Sequence, residues 1–215
     1  SDHSGATTIT VDTPTKAGES TTNNTYATLS KSTSLNMTVA KDMVYTGTVT
    51  ASKAQSVELA VDGTVNAGAK VTAGVATSAV ISSVAKDSVL ILDTVKLTDL
   101  NITNAKKLDL TGSTLTAVET FNSTGAGDLT VTALSALNTA TITNTGAIDL
   151  DTVGSNKQEY ALSVTSEGSK SFDIGAMNTK DANITLNVID SLGTVAVDTI
   201  TAGKGAVNVT LSTTG

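Results

Sequence analysis

From about Met43 onward, short stretches alternate apolar and polar positions and then stop at Gly, Asn or Asp. Thr46-Gly-Thr-Val-Thr50, Ser56-Val-Glu-Leu-Ala-Val61 and Ser88-Val-Leu-Ile-Leu92 are examples. Alternation with a period of two, carried by Val, Ile and Thr, predicts half-buried β-strands separated by tight turns. The stretch from Ala67 to Ala85 is rich in Ala, Val and Ser and has the composition of a helix. Its β-branched and hydroxyl residues favour strand there too. Residues 1–30 are rich in Thr, Ser, Asn and Gly and contain Pro14, the one proline of the chain. They are read as an irregular N-terminal arm, with residues 31–215 as one β domain.

The second half repeats itself. Ile102-Thr-Asn-Ala-Lys-Lys-Leu-Asp-Leu110, Phe121-Asn-Ser-Thr-Gly-Ala-Gly-Asp-Leu129 and Ile142-Thr-Asn-Thr-Gly-Ala-Ile-Asp-Leu150 align without gaps. A weaker copy, Ile200-Thr-Ala-Gly-Lys-Gly-Ala-Val-Asn-Val209, lies further on, and Val164 and Ile184 mark starts between. A period of about 20 residues accommodates two or three five-residue strands with their turns, which is one coil of a β-solenoid. A single coil cannot bury its inward side chains alone. Stacking the next one about 4.8 Å away pairs the backbone and extends the core. The alignment therefore predicts an all-β solenoid with two inward columns, Ile102/Phe121/Ile142 and Leu110/Leu129/Leu150. A β-sandwich, which also suits Thr-rich strands and Gly turns, is the alternative.

Composition narrows the function. Among 215 residues there are 41 Thr but no Cys, Arg or Trp, and His3 is the sole histidine. Thiolate metal sites, disulfides and cysteine nucleophiles are thereby excluded, and a Ser-His-Asp triad or histidine zinc site is disfavoured. A net charge of −7 without arginine speaks against nucleic acid as a partner. No apolar run approaches the roughly 20 residues of a membrane-spanning helix, and no apolar leader opens the chain. A mature product or an excised fragment of a secreted protein is the expectation.

The Thr/Ala/Asn/Asp-rich coils, among them Leu108-Asp-Leu-Thr-Gly-Ser-Thr-Leu115 and Ala140-Thr-Ile-Thr-Asn-Thr-Gly-Ala-Ile-Asp-Leu150, resemble bacterial surface-layer proteins. The likeness is to the β-solenoid lattice type of Campylobacter and Caulobacter, over roughly residues 45–215. It implies a structural, non-enzymatic protein of the extracellular cell surface that assembles with copies of itself. It also implies calcium as a cofactor and a cell-surface polysaccharide as an anchoring partner. The calcium nonapeptide Gly-Gly-x-Gly-x-Asp is not present, and Gly125-Ala-Gly-Asp128 is the nearest fragment. An adhesin stalk or binding module, or a strand-exchanged filament subunit, is the alternative reading.

The repeat also stacks Asp109, Asp128 and Asp149 in a file, with Asp151 pointing the same way as Asp149 along its strand. Like charges on neighbouring strands repel, and a cation between them relieves this. Oxygen-only sites suit calcium, so these four aspartates are the candidate metal residues. The competing role is turn closure, with each carboxylate accepting backbone N–H bonds. Thr-x-Thr pairs such as Thr139/Thr141 raise ice binding, but the alignment sets Asn122 opposite Thr103 and Thr143 and breaks the ranks. Six Asn-x-Ser/Thr sequons, at Asn23, Asn36, Asn101, Asn122, Asn183 and Asn208, are hardly more than chance supplies in so Thr-rich a chain. Glu58, Glu119, Glu159 and Glu167 share no register in the sequence, and aromatic residues that would stack a sugar are scarce. Glycan cleavage is not expected.

Overall fold

The computed structural model describes residues 5–11, 22–23, 26–155 and 157–213. Every regular element among them is a strand, including Lys70–Thr72 and Ser78–Val84 in the stretch of helix-like composition. All strand pairings are parallel. The chain winds as a β-solenoid whose longest wall is a ten-stranded sheet running from Gly5–Val11 to Val207–Thr213. From Ser34 onward, partners on this wall are 22, 22, 21, 21, 19, 24, 22 and 23 residues apart.

The other walls change along the axis. In the first coils the return path is two short sheets, one containing Val44–Tyr45 and Thr64–Val65, the other Thr48–Thr50, Lys70–Thr72 and Ile91–Asp93. Further on they merge. Ala147–Gly154 is one continuous strand in a six-stranded sheet that begins at Ser88–Val89, and Val153 bridges to Leu134 at the far side. A three-sided coil thus becomes a two-sided one.

Alternation within each strand builds the interior. Thr139–Asn144 is exposed and buried by turns, with Ala140, Ile142 and Asn144 inside. The core is one continuous aliphatic column with few aromatic residues, Tyr45, Phe121 and Phe172 being its largest side chains. One corner repeats as a tight turn closed by a backbone bond from the fourth residue to the first. Its ends are Ala51/Ala54, Ala73/Ala76, Thr94/Leu97, Leu115/Val118, Leu134/Leu137 and Ser155/Gln158. In the first five coils both ends are buried, and the long wall resumes two residues later at Ser56, Ser78, Asp99, Thr120 and Thr139.

Two expectations change. Gly5–Val11, Thr22–Asn23 and Tyr26–Thr28 belong to the solenoid walls, although the sequence places them in an irregular arm. The arm's other residues, Pro14 among them, lie outside the described residues. The middle repeat is also displaced. Ile102 and Ile142 share a column through Ser123, whereas Phe121 stands with Leu100 and Ala140. Likewise Leu129 stacks between Leu108 and Ile148, while Leu110 and Leu150 flank Val131. A slip of two residues leaves every inward side chain inward, so the apolar pattern fixes the face but not the register.

Candidate functional site

The same slip rearranges the aspartates. On the outside of the six-stranded sheet, Asp109, Thr130, Asp149 and Asp173 form one file. In the neighbouring file Gly175 separates Asp151 from Asp198, because the residues on either side of them pair in register. Asp149, Asp151, Asp173 and Asp198, together with Thr130 and Thr132, line an open groove of about 380 Å³. Partial withdrawal from water, then the charges of Asp173, Asp151 and Asp109, push the Asp149 carboxyl above its ordinary value. Cross-strand aspartates would be expected to repel in this way.

Asp128 is not in the file. Its Oδ1 accepts the Ala147 N–H at 2.8 Å, one coil on. Asp87 does the same for the Lys107 N–H, and Asp181 for that of Lys204. Asp109 Oδ1 accepts the Thr111 N–H at 2.9 Å. Asp109 thus bonds within its own turn and Asp128 to the backbone of the next coil, and the free-standing carboxylates are Asp149 and Asp151 with two that the sequence does not single out, Asp173 and Asp198. Among the described residues no three acidic or histidine side chains converge as a metal cage.

On the long wall, Thr103, Thr124 and Thr143 stack in one column, with the Thr103 and Thr124 hydroxyls 3.4 Å apart. Asn122 stands opposite Asn101 and Thr141, not Thr103 and Thr143, and its Nδ2 donates to Asn101 Oδ1 at 3.0 Å. The neighbouring outward file of the same wall is mixed, with Glu58, Val80 and Asn101 ahead of Asn122 and Thr141.

The two ends of the stack differ. At the first strand Thr7 and Val11 are buried. At the last, Val207, Val209 and Leu211 sit in register with Ile184, Leu186 and Val188, which are completely buried. Yet these three are 45%, 45% and 53% exposed. Val195, Val197 and Ile200 on the opposite wall are half-buried. The aliphatic interior is therefore open in cross-section at this end. Alternation in the sequence marks these residues as inward; only the stack shows that nothing among the described residues covers them.

No family model, curated protein or solved structure matches the chain. The fold and the site geometry carry the functional argument alone.

Proposed function

We propose that this chain is a structural, self-assembling protein of a cell surface, built to join copies of itself into a surface-layer lattice, with calcium at its acidic groove. The carrying observation is the open aliphatic end. Exposed apolar patches of this kind mark interaction sites, and a strand with an unpaired edge is a template for a further strand. The strand Val207–Thr213 has no charged residue. Pairing with its own copy therefore sets no like charges opposite one another. Centred on Val209, an antiparallel pair would place Val207 against Leu211 on the apolar side.

Copies meeting at this end would bury the Val207, Val209 and Leu211 side chains that the described residues leave exposed. Light scattering and negative-stain microscopy, with and without calcium, test the proposal. Dimers or ordered sheets that dissociate in Leu211→Lys support it. A chain that stays monomeric at every concentration, with calcium present, overturns it.

A further inference from the structure

Charge is divided unevenly along the stack. Residues 1–107 hold nine lysines and nine acidic residues, whereas residues 108–215 hold four lysines and eleven acidic residues. The whole net charge of −7 therefore belongs to the half of the chain that carries the open aliphatic end. In the six-stranded sheet this half runs from Leu108–Asp109 to Val195–Thr201. Its five strands, about 4.8 Å apart, make a block roughly 20 Å tall. The coil at the open end, residues 184–213, holds Asp190, Asp198 and Lys204, a net charge of −1. The coil behind it, residues 162–183, holds Glu167, Asp173, Asp181, Lys170 and Lys180, again −1. The remaining −5 lies deeper, in residues 108–161.

Two copies that meet open end to open end set these acidic halves against each other. The strand between them, Val207–Thr213, is uncharged. Repulsion therefore comes from the field of the whole half and not from contacts, and salt sets its reach. In about 10 mM salt the screening length is about 30 Å, which exceeds the height of the acidic half. A charge of −7 then faces another of −7. In about 150 mM salt the length is about 8 Å, less than two coil spacings, and the deeper charges no longer count. The apolar gain of covering Val207, Val209 and Leu211 is not a charge interaction and is not screened. Salt thus removes the opposing force and leaves the attraction in place.

We propose that ionic strength gates the open end: chains stay apart in dilute salt and pair once their acidic halves are screened. This rests on the self-assembly proposed above and adds the control of that same surface. It needs no bound ion, so a monovalent salt suffices and calcium at the groove is a separate effect. Residues 1–107 are neutral as a whole. Contacts made by that half meet no comparable barrier, and the gate acts on open-end pairing alone. A partner of opposite charge would behave in the reverse way and bind more tightly in dilute salt.

Sedimentation equilibrium of the whole chain, with a chelator and sodium chloride at about 10, 50, 150 and 300 mM, tests this. The dimer dissociation constant should fall by about tenfold or more up to the third concentration and change little at the fourth. Glu119→Gln with Glu167→Gln removes two charges from the acidic half, outside both the aspartate groove and the open strand. This variant should pair about fivefold more tightly than the parent in the lowest salt, and equally in the highest. Glu58→Gln with Asp62→Asn removes the same charge from the other half and should stay within about twofold of the parent throughout. A dimer equally tight at every salt concentration overturns the gate and leaves self-assembly standing. A dimer that loosens as salt rises also overturns it, and shows that surfaces of opposite charge meet. Absence of a dimer in every salt overturns the gate together with the self-assembly it rests on.

Discussion

Asn144 Nδ2 donates to Asn104 Oδ1 at 2.6 Å, although 40 residues and a whole coil separate them. The coil between has Gly125 at this position, paired with both. The absence of a side chain there lets the two amides meet through the interior. Ser123 Oγ donates to Asn144 Oδ1 at 2.6 Å, and Asn104 Nδ2 donates to the carbonyls of Lys106 and Asp128. Three buried polar residues in an aliphatic column are thus satisfied together.

Gly125→Ala should therefore be among the most damaging single-atom changes in the chain. A Cβ at Gly125 would lie 1.9 Å from Asn104 O, and the backbone there has a φ of +137°. A loss of roughly 3 kcal/mol or more is expected in urea unfolding. Asn144→Ala strands Ser123 and Asn104 instead and should cost about 1–3 kcal/mol. A neutral result for Gly125→Ala would mean that the coils do not approach this closely.

Leu186 and Leu211 test the open end in the same chain. Leu186 is completely buried beneath the last strand, while Leu211 is half in water. Leu186→Ala should cost about 2–5 kcal/mol at any concentration. Leu211→Ala should cost less than about 1 kcal/mol in dilute protein, and more as concentration rises if a second copy covers it. Equal costs at low concentration would show the end to be closed.

The solenoid was legible because each coil repeats the same inward alternation. The repeat aligns Ile102 with Ile142 and Leu110 with Leu150, and the structure stacks each pair in one column. The middle coil is misaligned, because Asp128-Leu129 imitates Asp109-Leu110 and a two-residue slip leaves in and out unchanged. Only backbone pairing distinguishes Thr130 from Asp128 as the neighbour of Asp149. Asp173 and Asp198 carry no such signal, because Ser171–Asn178 and Val195–Thr201 have no Asp-Leu marker. The three-residue insertion after the Gln158 corner did leave a signal, since the spacing from Leu137 to Thr139 and from Gln158 to Ser163 differs by three residues. The corner turns carry no residue marker, since their ends are Ala, Thr, Leu, Val, Ser and Gln in different coils.

Acidification should stabilise the acidic face. The Asp149 carboxyl titrates above its ordinary value in the folded chain. Its contribution is fully present below the unfolded carboxylate pKa and is lost as the pH rises through the folded one. Asp149→Asn should therefore raise stability at pH 7 by a fraction of about 1 kcal/mol, the scale of a cross-strand charge pair. The same substitution should be neutral at a pH below the carboxylate range. Thermal melts of both proteins at the two pH values decide this. A stabilisation that persists in acid would point to a cause other than charge.

Calcium should act on the same files, and the residues that matter are not those marked by the repeat. Asp149, Asp151, Asp173 and Asp198 line one groove, with Thr130 and Thr132 beside them, and under the proposed function their carboxylates are the oxygens that a divalent ion would meet. Millimolar calcium should raise the melting temperature, because an ion that binds only the folded chain stabilises it by mass action. Magnesium should do less, since it holds its water and demands a tighter shell. Asp173→Asn should weaken the calcium shift. Asp128→Asn should leave it intact, because that carboxylate is bonded to the Ala147 N–H and lies outside the groove. Equal shifts from calcium and from sodium chloride of matched ionic strength would reduce the effect to screening. Dependence on Asp128 rather than Asp173 would instead restore the register that Asp128-Leu129 suggests and contradict the pairing of Leu129 with Leu108.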